Sequence, residues 1–275
     1  MARTAVQLRQ ALHERFGEDI NIPAGMGGLD ELLRIATYSS HRSWTETPVD
    51  PGILKVLVAC ALSAPSKSYL QQADIVQVQD PEKRASVERL VPAMPWLRNA
   101  PVLLVFCGNG RRFRHLFSRK GLPFANEHLD GFFNPVVDSS LVMMNFIRAA
   151  AAVGLVSCPI SVLRDQALVL AQILELADHV FPVAGLCLGY PSQQRSINPR
   201  LSLSASFHID RFDDGTSDEQ LADFDVRYVA ARRSITKDAG RQDPTTWSDE
   251  KTKQYASAQR ADWGAFVRSK KFDLR

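Results

Sequence analysis

Pro135-Val-Val-Asp-Ser-Ser-Leu-Val-Met-Met-Asn-Phe-Ile-Arg-Ala-Ala-Ala-Ala-Val153 is apolar nearly all round at helical spacing, and Gly154 follows as a stop. A helix with so little polar face must be enclosed by protein on most sides. Asp138, Asn145 and Arg148 interrupt the apolar run 136–160, which excludes reading it as a membrane span. Outward from this helix, Pro101-Val-Leu-Leu-Val-Phe-Cys107 and Val183-Ala-Gly-Leu-Cys-Leu188 are short apolar runs that read as buried strands. Ile75-Val-Gln-Val-Gln79 partly alternates, is rich in β-branched residues, and reads as a further strand.

Helices fill the intervals. Residues 4–17 carry Val6, Leu8, Leu12 and Phe16 and stop at Gly17, and the loop 22–28 separates them from a second helix starting near Asp30. Asp50-Pro51 opens a third, with Asp as N-cap and Pro at the first helical position. Ile53, Val56, Leu57 and Cys60 read as its buried face, and it ends at Ala64-Pro65 because the residue before a proline avoids the α region. Residues 82–90, 165–176, 218–232 and 249–270 read as further helices, the last two in a more polar C-terminal part. Helices and strands interleave with no break between two cores, so the expectation is one α+β body over 29–275 and a helical extension over 1–28.

Composition sets the class. The chain has 275 residues, 45% hydrophobic and 23% charged, which excludes a mainly disordered protein. A net charge of +3 is too small for a nucleic-acid footprint. The first ten residues have scattered charges and no apolar core, so no secretory signal is expected. Cys60, Cys107, Cys158 and Cys187 lie far apart and read as buried free thiols of a cytoplasmic protein.

No Gly-x-Gly-x-x-Gly, Gly-x-Ser-x-Gly, Walker A or His-Glu-x-x-His motif is present, and Gly108-Asn-Gly110 reads as a turn. Three stretches carry candidate chemistry. Ser39-Ser-His-Arg-Ser43 could grip a phosphate through charge-assisted bonds, or be a solvated helix end. Ala64-Pro-Ser-Lys-Ser-Tyr-Leu-Gln71 is a polar loop that holds ligand contacts or merely connects. Gly185-Leu-Cys-Leu-Gly-Tyr-Pro191, followed by Asn198-Pro-Arg200, ends a strand in a turn and delivers an arginine suited to a second phosphate contact. Arg111-Arg-Phe-Arg-His-Leu-Phe-Ser-Arg-Lys120 reads as a solvated helical face.

Taken in order, these pieces resemble the flavin-dependent nitroreductase family, in its NADPH-nitroreductase and flavin-reductase subgroup. His41-Arg42-Ser43 matches the start of a His-Arg-Ser-x-Arg motif, residues 63–71 a Ser-rich loop ending in Leu-Gln, and Val136-Val137-Asp138 the Val-Val-Asp of the buried helix. Gly154-Leu155, Leu163-Arg164, the Gly-Leu-Cys-Leu-Gly-Tyr-Pro turn, Asn198-Pro199-Arg200 in place of Lys-Pro-Arg, and Trp247-Ser248 complete the set over about 30–275. The resemblance implies a nitroreductase-like α+β fold, with a central mixed sheet flanked by helices in an intertwined homodimer. It also implies FMN as cofactor, NADPH or NADH as donor, and ping-pong transfer to a nitroaromatic, quinone or free flavin.

Carried over by motif, His41, Arg42, Ser43, Asn198 and Arg200 would surround the FMN phosphate and ribityl chain. Pro65, Ser66 and Lys67 would form the loop donated by a partner subunit, and Gln71 would face the flavin ring. Pro159, Ile160, Ser161 and Val162 would lie against the isoalloxazine, and Arg241 is the candidate for the 2′-phosphate of NADPH. No side chain acts as catalytic nucleophile, since the flavin performs the chemistry. The chain departs from the pattern where Trp44-Thr45-Glu46 lacks the second arginine, where Asn198 replaces lysine, and where Pro-Ile-Ser-Val holds no glycine. A member that binds flavin without turnover, or a reductase of a specialised substrate such as a dehalogenase, are the competing expectations.

Overall fold

A computed structural model of the chain describes residues 2–213, 217–237 and 245–275, with residues 234–237 described as backbone only. Four strands, β1 (Ala73–Gln77), β2 (Val102–Asn109), β3 (Val156–Ile160) and β4 (Val180–Gly189), form one sheet in the order β1-β2-β4-β3. Every residue of β2 and β4 is buried. Both strands therefore read as continuous apolar runs, because helices cover the sheet on either face and each face selects apolar side chains. All three pairings are antiparallel. β2 and β3 run parallel to one another, but β4 inserts between them. The α+β class and the helix-flanked sheet stand, while no parallel pair of the expected mixed sheet occurs among the described strands.

The helices are α1 (Ala2–Phe16), α2 (Leu29–Ala36), α3 (Pro51–Leu62), α4 (Pro81–Arg89), α5 (Arg111–Arg119), α6 (Asp130–Ala152), α7 (Ala167–Ile173), α8 (Asp218–Lys237), α9 (Trp247–Tyr255) and α10 (Trp263–Ser269). They belong to two compact units, one of residues 1–39 and 194–259, the other of residues 40–193 and 260–275. No described helix is long and apolar enough to cross a membrane.

In the second unit α6 packs on the sheet and against α3. Phe146 of α6 meets Phe106 of β2 edge to face, with ring centroids 5.8 Å apart. On the other side Leu103, Val105 and Cys107 of β2 join Val87 of α4 and Leu170 of α7 in the main core. The helix read from Pro135 starts earlier, at Asp130, with the proline inside it. Phe132 explains the extra length, since it packs on Phe181 at 4.7 Å and Phe272 at 5.5 Å and draws the chain into helix ahead of the proline. Asp50 caps α3 as expected, accepting from the N–H groups of Gly52 and Ile53. The buried face of α3, however, is Leu54, Leu57 and Ala61. Val56 and Cys60 are exposed, so the expected face is wrong by about one position, and Cys60 is not a buried thiol.

In the first unit α1 packs on α2, burying Leu8, Ala11 and Ala36 beside Leu12, Leu29, Leu33 and Ile197. α8 and α9 are tied by Phe224 on Trp247 at 5.4 Å and by the Tyr228 hydroxyl donating to Glu250 at 2.7 Å. The single helix expected over 249–270 is two, interrupted where Arg260 takes a positive φ of 54°.

Phe146 is fully buried and packs on the sheet through Phe106. Phe146→Ala should therefore cost about 3–5 kcal/mol of stability, the usual price of an aromatic cavity, as read from the midpoint of urea unfolding at unchanged slope.

Candidate functional site

The segment after α2 runs beside β3 without forming a strand of the sheet. The His41 N–H donates to the Ser157 carbonyl at 3.1 Å, and the Trp44 indole donates to the Val156 carbonyl at 3.3 Å. The Thr45 N–H donates to the Tyr190 carbonyl, Trp44 bridges Pro191, and the Gln193 amide donates to the Ser43 hydroxyl at 3.0 Å. Sequence stretches more than a hundred residues apart thus meet along one edge of the sheet. His41 is buried and Ser43 half-buried, whereas Arg42 is exposed with its guanidinium 5.8 Å from the Trp96 ring centre. At Thr45, where the motif's second arginine would stand, the hydroxyl is buried and has no partner.

β3 runs straight into the 159–162 segment. Pro159 and Ile160 end the strand, Ser161 is exposed, and Val162 opens a 3-10 turn. Ile160 pairs with Gly185. A Cβ on Gly185 would come within 2.8 Å of the Ile160 side chain and 2.6 Å of Leu163, so the glycine of Gly-Leu-Cys-Leu-Gly is required by this contact. Here the bulk sits on β3 and the missing side chain on β4.

The loop 64–72 is held from below by a residue whose role the sequence reading did not assign. Asp138, on α6 and almost fully buried, accepts the Lys67 N–H through Oδ1 at 2.9 Å and the Gln72 N–H through Oδ2 at 3.1 Å. The signal was present as an acid inside an otherwise apolar helix. Between these anchors Ser68, Tyr69 and Gln71 all take positive φ, at 48°, 61° and 54°. Three non-glycine residues in the left-handed region cost energy that only a rigid frame can hold. Arg112, read as part of a solvated face, supplies the rest of that frame by donating to the Gln71 carbonyl at 2.6 Å and pairing with Asp74. Pro65, Lys67 and Gln71 are exposed, and Ser66 and Gln71 border an open cleft of about 630 Å³ with Arg112 and Asp138.

Asn198 and Arg200 lie in the other unit, both exposed, with Pro199 buried between them. Arg241 lies outside the described residues. Among the described residues no group of three or more His, Cys, Asp or Glu could hold a metal. Burial pushes the thiols of Cys107 and Cys187 up to about 12, so both stay protonated and unreactive at neutral pH.

Asp138→Ala removes two charge-assisted bonds and frees the strained loop. It should lower stability by about 2–4 kcal/mol on the scale of such bonds, and Asp138→Asn by less, because one acceptor survives. Urea unfolding reads both, and an unchanged midpoint in the alanine variant would contradict the anchor.

Comparison with known proteins identifies the frame. The Nitroreductase family profile matches residues 35–190, and that of the Nitroreductase family, C-terminal domain, matches residues 198–275. The chain is 29% identical over 214 residues to an FMN reductase (NAD(P)H) of Bacillus subtilis strain 168, covering 71% of this chain and 83% of that one. It is 30% identical over 218 residues to the oxygen-insensitive NADPH nitroreductase of Salmonella typhimurium strain LT2, covering 77% and 85%. Among solved structures it is similar to NfrA2 of B. megaterium, with a TM-score of 0.84, 26% identity, and coverage of 90% of this chain and 99% of the other. With one family profile over more than half its length and the companion C-terminal profile over residues 198–275, the chain belongs to the nitroreductase family.

Proposed function

We propose that this protein is an NAD(P)H-dependent flavin oxidoreductase with FMN as its cofactor, passing hydride by a ping-pong cycle to a small acceptor such as a nitroaromatic, a quinone or free flavin. The observation that carries this reading is the edge where His41–Ser43, the end of β3 and the Tyr190–Gln193 turn converge, in a chain whose relatives bear flavin-reductase and nitroreductase names. The residues fit such a group. Thr45 offers a buried hydroxyl without a partner, Ser43 a half-buried hydroxyl, and Arg200 an exposed guanidinium without an acidic partner among the described residues.

Bound FMN would supply the two-electron chemistry itself. What this chain's residues contribute is binding and orientation. Arg200 and His41 would face the phosphate, Ser43 and Asn198 the phosphate and ribityl chain, and the backbone of Pro159, Ile160, Ser161 and Val162 the ring. Arg42, held over Trp96, would add a cation beside the phosphate site. Pro65, Ser66, Lys67 and Gln71 would act from a loop whose shape Asp138 and Arg112 fix, and Arg241 would read the 2′-phosphate of NADPH. We take residues 29–275 as the FMN-binding domain, 1–28 as its extension, and the cytoplasm as its compartment.

The same reading includes a homodimer. Phe133, Val137, Leu141 and Met144 form an uncovered apolar stripe along α6, and Val56 of α3 is 61% exposed. A contiguous exposed apolar stripe of this kind marks an interaction surface. A second copy of this chain would cover it.

Two measurements test the proposal. The purified protein should carry flavin absorbance that bleaches on anaerobic addition of NADPH or NADH and returns with an acceptor, whereas a colourless protein that takes up no FMN would refute it. A flavin that binds but does not bleach would favour the non-catalytic reading. Light scattering should give about twice 30.6 kDa, and dilution should lower the unfolding midpoint.

A further inference from the structure

Within the unit of residues 1–39 and 194–259, three arginines converge on one stretch of backbone. Arg15, in the last turn of α1, is only 8% exposed. Its Nε donates to the Ala36 carbonyl at 2.9 Å, its Nη1 to the Asn198 carbonyl at 3.1 Å and its Nη2 to the Tyr38 carbonyl at 2.6 Å. Its own carbonyl accepts the Arg200 N–H at 2.5 Å. From the other side Arg227 of α8 donates Nη1 to the Arg200 carbonyl at 3.0 Å, and its Nη2 is buried without a partner. Gly17, at a φ of 72°, makes the convergence possible, because a Cβ there would come within 2.7 Å of the Arg227 Nε. The main chain of Arg200 is therefore clamped at both N–H and carbonyl, while its side chain stays exposed.

Charge does not balance here. Arg227 has Asp223 at 2.9 Å, but no ion pair among the described residues includes Arg15 or Arg200. Burial, and then the charge of Arg200, push the Arg15 guanidinium below its ordinary value. Three carbonyl oxygens solvate that cation without neutralising it. A buried cation beside a second cation raises the energy of the empty site, and an anion arriving from outside lowers it again. The extension at 1–28 thus brings in a charge that nothing in the described chain consumes.

We propose that Arg15 is a positioning residue of an anion subsite headed by Arg200: its guanidinium holds the Asn198 carbonyl two residues before Arg200, and its charge stands in for the lysine that Asn198 replaces. The occupant is the phosphate of the flavin, so the inference rests on the FMN reading above. The N-terminal helix is then part of the cofactor site and not a passive appendage.

Titration of the full-length apo protein with FMN and with riboflavin, which lacks the phosphate, tests this. Arg15→Met should raise the FMN dissociation constant about tenfold or more, the scale of one charge-assisted contact, and leave riboflavin within about twofold. Adding Asn198→Lys to that variant should restore most of the FMN affinity without restoring the thermal midpoint of the apo protein. Should Arg15→Met not fold, Arg15→Lys keeps the charge and loses the fork, and its FMN affinity should fall less than about threefold despite a lower midpoint. Parallel losses for FMN and riboflavin, failure of the lysine rescue, or a tenfold FMN loss in Arg15→Lys would each assign Arg15 to structure alone and overturn the proposal. Parent protein that takes up neither flavin would overturn the FMN reading itself, and this proposal with it.

Discussion

β2 and β4 must be dry on both faces, and the second unit is organised around that constraint. The eight residues of β2 and the ten of β4 would otherwise expose apolar side chains and polar backbone together, so helices have to lie on each side. α6 meets the requirement on one face through Phe146, and α4 and α7 meet it on the other through Val87 and Leu170. β1 and β3 are left at the margins of the sheet, and β3 is the flank that receives an incoming segment. His41 and Trp44 occupy that flank through the Ser157 and Val156 carbonyls.

The site itself is built from backbone held in place by buried charge. Asp138 reaches out of an apolar helix to hold both ends of the loop 67–72, and three left-handed residues between those ends are held by it. In the other unit Arg15 and Arg227 hold Arg200 from opposite sides. In both places a charged side chain is spent on main-chain groups, which fixes the shape of the surrounding backbone. A cofactor that carries its own reactivity needs that kind of frame more than it needs a nucleophile. The protonated, buried thiols of Cys107 and Cys187 agree with such a division of labour.

Much of the fold was legible in the residues. The N-cap at Asp50, the apolar runs of β2 and β4 and the helix closed by Gly154 are local signals, each fixed by capping, burial or a positive φ within a few residues. The errors share one cause. The face of α3 and the start of α6 depend on what packs against each helix, and the periodicity of a helix apolar on several sides does not say which side meets the core. Phe132 lengthens α6 only because Phe181 and Phe272 are there to receive it.

The sequence by itself determined the class of the protein: ordered motifs from His41 to Trp247 and short strands of buried type, in the order that the nitroreductase family shares. Tertiary structure decided which groups act together. Asp138 looked like one polar residue in a helix and Arg112 like part of a solvated face, and Arg15 carried no signal at all. Their roles come from carbonyl and N–H groups that the chain brings back after 66 residues for Asp138, 41 for Arg112 and as many as 183 for Arg15. Hydrogen-bond partners at that separation leave no periodic trace, because a backbone carbonyl is the same in every residue and only folding selects which one a side chain meets.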